Sequence, residues 1–342
     1  CENFSSLKCA VYAVGGWADP YSNTILRMMS ELSCPRKALI GPWSHEYPQR
    51  ALPGPQIGFT QECLRWWDHW LKGIDNSIMD EPMIRVWMPE SVTPKTHYLE
   101  RPGRWVAEKS WPLPKHKKKS KVLFLNRNEL KTSIEKENQF LIPNSQSVGL
   151  NAGVWFPMGN PGEFPGDQRS IDANSLCFDS EISYQTQEIL GNPELKLSLK
   201  SNANKGLIAA RLTDVSPNGS SFLVSWGLLN LTHFNSHEFP EDVIPGKRFT
   251  VSFELNSCAH SLKIGHKWRL SLSSSYFPHA WPSPELSELN IFTCIDTFLK
   301  LPYRFRKKND NLLEDFLEPE FSNPLVIKKI RESSFERTIK HD

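Results

Sequence analysis

An excess of charge of either sign is absent from this sequence, which has 40 Lys and Arg against 38 Asp and Glu. Such a balance creates no strong field for a nucleic acid, an anionic membrane or an acidic partner. The one basic run, KHKKKSK at 115–121, lacks the interleaved aromatic residues of a nucleic-acid groove. No run of about 18 apolar residues exists either, so no membrane-spanning helix is predicted. We therefore expect neither nucleic acid nor membrane as a partner.

Cysteine patterns typical of disulfide frameworks and zinc sites are also lacking. The seven cysteines form no C-x-x-C pair and no cluster with histidine, and their number is odd. His233, His237 and Glu238 have a spacing that suits metal ligands on a helix, but the Asn and Pro around them predict a loop. We expect no metal and no organic cofactor. Reduced thiols favour a cytoplasmic location, and any N-terminal signal would precede Cys1.

The composition that is present indicates a packed, loop-rich globular protein of about two domains, because 342 residues include 12 Trp, 19 Phe and 26 Pro. We predict an α/β unit over residues 1–80, a β-sandwich over 81–310 and a charged tail over 311–342. The chain begins at Cys1 instead of Met and enters an apolar run within a few residues. We therefore expect that residues upstream are missing.

The first 45 residues have the pattern of a strand–helix–strand unit. KCAVYAVGG (8–16) and KALIG (37–41) are short apolar runs typical of buried parallel strands, and residues 22–32 are apolar at helical spacing. A right-handed crossover makes the two strands parallel, so their carboxyl ends share one edge of the sheet, where ligands bind in open α/β folds. Asp19 and His45 follow these ends, so we expect them to meet.

The rest of the chain predicts one more helix and then β structure. Residues 59–71 form an apolar helical face with Gly73 as a helix stop; this face comprises Phe59, Cys63, Trp66, Trp67 and Trp70. Short alternating runs follow, separated by turn signals: LKLSL, LIAARL, FLVSW, FTVSFEL and WRLSL. Their spacing predicts an antiparallel β-sandwich.

Asp19 and His45 are the residue types of a serine-hydrolase acid and base. Each also has a simpler interpretation. Asp19, with Pro20 next, suits a helix N-cap with proline at the first helical position, and His45 suits an ordinary loop or core residue. Ser44 adjoins His45, but neighbours in sequence rarely aim their side chains at one another. No Gly-x-Ser-x-Gly elbow occurs in the chain, so we predict that it contains no nucleophile.

Several longer segments resemble the CocE/NonD hydrolases, the serine hydrolases similar to cocaine esterase and X-Pro dipeptidyl-peptidase. The matching segments are GGWADPYSN, PRKALIGPWSHEYP, GFTQECLRWWDHWLKGIDNSIMDEPMIRVWM, PGRWVAEKSWP, PGDQRS, ARLTDVSPNGSSFLVSWGLLNLTH, SHEFPEDVIPGKRF and SSYFPHAWPSP. They occur in the family's order from about residue 9 to about residue 290, and they cover its C-terminal half. The resemblance implies the C-terminal part of an α/β-hydrolase sheet followed by a jelly-roll β-sandwich domain.

The resemblance also implies an activity and its residues. The activity would be hydrolysis of an ester or amide, by an acyl or aminoacyl ester hydrolase or a dipeptidyl-peptidase-like enzyme, with a small-molecule or short-peptide substrate. Asp19 would be the triad acid and His45 the triad base. Tyr21 would lie near the acyl pocket, and Trp155 and Phe156 would line it from the jelly-roll domain.

Two departures from the family pattern qualify this expectation. Pro20 stands where many members have glycine, and the nucleophilic serine with its oxyanion-hole donors falls outside the chain. We therefore expect this polypeptide alone to be inactive, and to associate with the missing N-terminal half or with copies of itself through an exposed sheet edge. The alternative is a catalytically silent β-sandwich binding module or a decayed gene fragment.

Overall fold

The computed structural model describes residues 3–114, 119–308, 310 and 313–321. Residues 115–118 of the basic run lie outside this part of the chain. Most of the predicted charged tail, namely 311–312 and 322–342, also lies outside it, so that prediction is not examined by the structure. Within the described residues, no helix combines the length and apolar character needed to cross a bilayer.

A four-stranded sheet forms the first unit. Its strands are β1 (Val11–Gly16), β2 (Arg36–Gly41), β3 (Ile84–Pro89) and β4 (Gly103–Glu108), in that spatial order. β1, β2 and β3 are parallel, and β4 pairs antiparallel with β3. The strand–helix–strand prediction is confirmed, because α1 (Ser22–Glu31) connects β1 to β2. The sheet continues past residue 80 through β3 and β4, and the proposed division at 80/81 stays a prediction.

Two helices cover this sheet. α1 buries Ile25, Leu26 and Met29 against it, the apolar residues that recur at helical spacing. α2 spans Phe59–Lys72, and Gly73 caps its C-terminal end, as predicted. Gly73 adopts φ +70° and donates its N–H to carbonyls of the last turn. The expected apolar face of α2 was too broad. Trp66 is buried, whereas the next residue, Trp67, is 50% exposed because it points about 100° away around the helix.

The second unit is a β-sandwich. Its strands are β5 (Lys121–Leu125), β6 (Glu129–Lys131), β7 (Gln139–Leu141), β8 (Leu176–Ser180), β9 (Gln187–Gly191), β10 (Glu194–Ser201), β11 (Leu207–Val215), β12 (Ser221–Asn230), β13 (Arg248–Glu254), β14 (Cys258–Leu262), β15 (Lys267–Ser273), β16 (Leu289–Phe292), β17 (Phe298–Leu301) and β18 (Tyr303–Arg304). A short helix α3 (Arg169–Asp172) precedes β8, and a 3₁₀ turn (Leu231–His233) follows β12.

An eleven-stranded sheet carries most of these strands, in the order β12-β11-β15-β8-β6-β5-β17-β10-β16-β7 with β13 beside β10. β14, β9 and β18 form a separate three-stranded sheet. All pairs in both sheets are antiparallel except β6 with β8. The alternating apolar residues of the long strands bury one core, with Leu197, Leu212 and Leu270 fully enclosed. The predicted fold class, part of an α/β sheet followed by a β-sandwich, is confirmed.

The three-stranded sheet joins the two units. Leu190 of β9 and Ala259 of β14 belong to the same buried cluster as the strands of the first sheet. Next to this contact, the buried Arg304 guanidinium pairs with Glu108 of β4 at 3.0 Å and with Asp310 at 2.7 Å. The sandwich therefore lies directly against the first sheet, and segments from both units reach the site described next.

Candidate active site

Asp19 and His45 are brought together by an extension of the backbone ladder beyond β1 and β2. Gly16 of β1 lies opposite Gly41 of β2. After these glycines, Trp17 N–H donates to the Gly41 carbonyl at 2.9 Å, and Ala18 N–H donates to the Trp43 carbonyl at 3.1 Å. The two loops therefore leave the sheet side by side, as the parallel topology predicts.

The close approach of these loops requires glycine at both strand ends. A Cβ at Gly16 would lie 2.0 Å from the Trp43 carbonyl oxygen, and a Cβ at Gly41 would lie 2.3 Å from the Trp43 ring. Trp43 is buried and donates its indole N–H to the Pro55 carbonyl at 2.8 Å. The Gly-Gly and Gly-Pro-Trp sequences thus fix the path of both loops.

The Asp19 carboxylate joins the imidazole to the start of α1. Oδ2 lies 2.9 Å from His45 Nδ1, and Oδ1 accepts the Tyr21 N–H at 2.7 Å. The side chain of Asp19 is 13% exposed and that of His45 is 41% exposed. Because an ionised carboxylate only accepts hydrogen bonds, this network assigns the proton to Nδ1 and leaves Nε2 as the acceptor.

The simpler interpretation of Asp19 is wrong in register. The helix begins at Ser22, so Tyr21 occupies the N-cap position and no side chain caps the helix. Asp19 instead forms a local turn in which its side chain accepts the Tyr21 N–H and its carbonyl accepts the Ser22 N–H at 3.2 Å. This turn fixes the carboxylate while its second oxygen faces the imidazole.

The three residues that the resemblance assigns to the acyl pocket lie against the imidazole or against one another. The ring centroid of Phe156 is 4.2 Å from that of His45, and the ring centroid of Tyr21 is 5.7 Å away. Trp155 contacts Tyr21 edge-on at 6.2 Å. These aromatic rings are 38–52% exposed, so they form an open apolar rim around the site. The structure thus brings all five predicted site residues together.

The segment carrying Trp155 and Phe156 is fastened to the His45 loop. His45 N–H donates to the Pro157 carbonyl at 2.9 Å. Further along, Glu163 accepts the backbone N–H groups of Met158 at 2.7 Å and Asn160 at 2.8 Å. Burial acts to raise the pKa of Glu163, but these hydrogen bonds outweigh it and lower the pKa. The ionised Glu163 therefore fixes the local turn of this loop, which the His45–Pro157 bond joins to the site.

A nucleophile next to Nε2 is not found among the described residues. No hydrogen bond reaches His45 Nε2 in that part of the chain. The Ser44 hydroxyl is buried and has no partner there, and it makes no bond to the adjacent imidazole. Burial raises the pKa of the Cys63 thiol, which disfavours the reactive thiolate. The imidazole is therefore oriented by Asp19, and its Nε2 has no hydrogen-bond partner among the described residues.

One polar cluster was missed by the sequence analysis. The buried Asp214 carboxylate accepts from His260 Nε2 at 2.8 Å, His266 Nδ1 at 2.6 Å and the Ser91 hydroxyl. Burial acts to raise the pKa of Asp214, but the hydrogen bonds and charge of these histidines lower it. The residues of this cluster are far apart in the sequence, so no local motif marks them.

His233 and His237, the pair with metal-ligand spacing, lie at an exposed loop as predicted, with their Nδ1 atoms 3.3 Å apart. Among the described residues, no group of three or more His, Cys, Asp or Glu side chains could hold a metal ion. The pair lies far along the chain from the Asp19 loop and contributes nothing to the site described above.

Comparison with known families matches two parts of the chain. Residues 76–294 match the X-Pro dipeptidyl-peptidase C-terminal non-catalytic domain, and residues 1–47 match the X-Pro dipeptidyl-peptidase S15 family. The chain belongs to the CocE/NonD and X-Pro dipeptidyl-peptidase family. Asp19 and His45 both fall within the S15 match, and Trp155 and Phe156 fall within the C-terminal-domain match.

Individual relatives of this CocE/NonD-type chain support the same fold. The cocaine esterase of a Rhodococcus strain is 22% identical over 302 residues, which cover 81% of this chain and 50% of the esterase. A Staphylococcus aureus CocE/NonD family hydrolase superposes with a TM-score of 0.67 at 14% identity, covering 87% of this chain and 55% of that one. An aminopeptidase from a Thaumarchaeota archaeon gives 0.66 at 16% identity, with the same two coverages. The chain therefore spans about half the length of the relatives it matches.

Proposed function

We propose that this chain supplies the acid and the base of a serine hydrolase that acts on esters or amides. The observation that carries the proposal is the 2.9 Å hydrogen bond from His45 Nδ1 to Asp19 Oδ2, with Nε2 left open at the carboxyl edge of parallel strands. This is the arrangement in which an imidazole can accept a proton from a hydroxyl nucleophile.

In the proposed mechanism, a serine outside this sequence attacks the substrate carbonyl. His45 Nε2 takes the serine proton and then delivers it to the leaving alcohol or amine, and water repeats the cycle to release the acid. Asp19 holds Nδ1–H and stabilises the imidazolium that forms between these two transfers. No metal or organic cofactor takes part in this scheme.

The aromatic rim suggests the class of substrate. Tyr21, Trp155 and Phe156 lie within ring contact of one another or of His45, so an acyl group bound beside Nε2 would contact apolar, flat surfaces. We therefore propose small esters or amides with an apolar or aromatic acyl group, or short peptides with an apolar side chain, as substrates.

The same proposal names the partner that the chain needs. Among the described strands, β1 pairs only with β2, so its other edge offers unpaired backbone groups. A further strand of the hydrolase sheet would complete this edge and could bring the serine towards Nε2. Association of two copies of the chain through this edge is the other arrangement to be tested. The cytoplasmic location of the protein stays a prediction.

A β-sandwich binding module without catalysis is the second candidate. The observation in its favour is that no described serine or cysteine reaches His45 Nε2. In this case the Asp19–His45 pair would serve only to hold the two loops together.

Steady-state hydrolysis of p-nitrophenyl esters and Xaa-Pro anilides distinguishes the two candidates. The protein to assay is this chain together with the residues that precede it in its gene. We expect His45→Ala to abolish turnover without changing the circular dichroism spectrum, whereas His233→Ala, at an exposed loop, serves as the matched control. Full activity of His45→Ala would refute the triad assignment. For the 342-residue chain alone, we expect no stoichiometric labelling by a fluorophosphonate.

A further inference from the structure

A cavity of about 380 Å³ lies between the two units, behind the Asp19 loop. The loop after β1, the segment 152–165 and strands β12 and β14 surround it. Asp19 and Trp155 border the cavity, but His45, Tyr21 and Phe156 do not. The cavity thus borders the acid of the Asp19–His45 pair but not the imidazole, and its volume falls within the range of small-molecule sites.

Arg101 places a positive charge in the wall of this cavity. The residue is 7% exposed, and its guanidinium carbon lies 4.5 Å from the ring centroid of Phe222 and 5.0 Å from that of Tyr98. Nη2 donates to the Glu90 carbonyl at 3.3 Å, and the Tyr98 hydroxyl also interacts with the guanidinium. Among the described residues, no carboxylate oxygen lies within 4.0 Å of it.

The other buried arginines of the described chain are paired with carboxylates. Arg304 has Glu108 at 3.0 Å and Asp310 at 2.7 Å, and Arg211 has Asp172 at 3.2 Å. A buried charge is costly to the fold unless an opposite charge and hydrogen bonds compensate it. Arg101 instead has aromatic faces and a carbonyl, and the Asp214 carboxylate acts on its charge only from beyond 4.0 Å. The guanidinium can therefore form a direct pair with an anion that enters the cavity.

The remaining ionisable groups of the wall do not neutralise Arg101. The Asp19 and Glu163 carboxylates are held by His45 and by the backbone of the 158–160 loop. His260 donates to Asp214, and burial lowers the pKa of His279, which favours its neutral form. The rest of the wall includes the flat side chains Trp155, Phe164, Phe222 and Trp226. The cavity thus offers one cation without a direct carboxylate partner, two carboxylates held by other groups, and several aromatic surfaces.

We propose that this cavity binds a small organic carboxylate with a flat apolar body, whose carboxylate pairs with Arg101. A planar guanidinium matches a carboxylate with two parallel hydrogen bonds, and the aromatic walls cover the apolar body. The proposal rests on Arg101 and the cavity walls and not on the proposed hydrolysis, and neither His45, Tyr21 nor Phe156 lines the cavity. A ligand there would also lie beside Asp19 and the 152–165 segment.

Titration of the 342-residue chain with benzoate, followed by calorimetry and ligand-observed NMR, tests this site. Benzamide has the same shape without the charge and is the control ligand. We expect benzoate to bind at least tenfold more tightly than benzamide, and Arg101→Gln to remove that difference. Arg169→Gln, at an exposed arginine, should leave benzoate affinity unchanged. Equal affinities of the unaltered chain for the two ligands, or no benzoate binding, would overturn the proposal, and this comparison needs no variant.

Two further variants locate the ligand. Val154 is half-exposed and borders the cavity. The larger side chain of Val154→Trp should narrow the cavity and so weaken benzoate binding. Phe156→Ala alters the rim around His45 and should leave benzoate affinity within about twofold. The reverse pattern, with loss in Phe156→Ala and none in Arg101→Gln or Val154→Trp, would place benzoate in front of Nε2 and refute the cavity site. Neither pattern depends on whether the chain hydrolyses esters.

Discussion

Replacing Asp19 by Asn should reverse the tautomer of His45. In the structure, Asp19 Oδ1 accepts the Tyr21 N–H at 2.7 Å while Oδ2 faces His45 Nδ1 at 2.9 Å. An Asn in the same rotamer keeps its oxygen on the Tyr21 N–H, because the opposite orientation would set two donors against each other. Its NH₂ group then faces Nδ1. Nδ1 must become the acceptor, and the proton moves to Nε2, where it prevents His45 from acting as a base.

The size of this effect follows from the hydrogen bond. A bond to a charged acceptor stabilises by about 1.5–3 kcal/mol, and exposure of 41% of the His45 side chain reduces this by roughly half. About 0.75 to 1.5 kcal/mol corresponds to roughly a three- to twelvefold preference for the Nδ1–H tautomer. In a complete hydrolase, an acid-to-amide change in the triad lowers kcat by about 10⁴.

Long-range ¹H–¹⁵N correlation of the histidine rings measures the tautomer directly. The spectrum is recorded at about pH 8.5, two units above the ordinary pKa of imidazole, on the 342-residue chain labelled at histidine. Glu46→Gln is the matched control, because Glu46 carries a neighbouring carboxylate that bonds Tyr47 N–H and Arg50 but not His45. An Asp19→Asn spectrum with the same His45 tautomer as the unaltered chain would refute this reasoning.

Three further predictions concern stability, each measured by urea unfolding. Gly16→Ala should destabilise the fold by about 1–3 kcal/mol, because its Cβ would meet the Trp43 carbonyl at 2.0 Å; an unchanged midpoint would contradict the loop geometry. Leu270→Ala, in the sandwich core at 0% exposure, should cost about 2–5 kcal/mol, and a cost below 1 kcal/mol would show that this core is loosely packed. Stability should fall as pH drops below about 3.9, the ordinary Asp value, because the pKa values of Asp214 and Asp310 are lowered in the fold and protonation removes their ion pairs. A profile that is flat from pH 5 to 2.5 would contradict this.

Local patterns predicted the part of the fold that local forces determine. The apolar runs of β1 and β2 and the helical spacing of α1 are properties of adjacent residues, and the parallel crossover then places Asp19 beside His45 without further information. The helix begins at Ser22, where the helical spacing begins, whereas the N-cap role considered for Asp19 is wrong because Asp19 forms a side-chain turn ahead of the helix. Trp67 was wrongly assigned to the buried face of α2. The five apolar positions span a wider arc of the helix than the part that packs against the sheet.

Contacts between distant segments could not be predicted in this way. Asp214 collects partners that lie 46, 52 and 123 residues away, and Arg101 reaches Phe222 across the junction between the two units. No periodicity or spacing in the sequence relates such residues, because the order of strands in the sandwich determines which side chains come into contact. The rim residues Trp155 and Phe156 were found only through family resemblance, because the loop that carries them has no regular pattern.

The proposed role of the Asp19–His45 pair is to activate a serine nucleophile. The rate at which a fluorophosphonate labels the protein tests it most directly, with this chain joined to the residues that precede it in its gene and the reaction followed by stopped flow. We predict single-site labelling that slows by at least 10³ in His45→Ala and in Asp19→Asn, while Glu46→Gln labels at the original rate. Labelling at equal rates in all four proteins would show that neither Asp19 nor His45 activates the nucleophile.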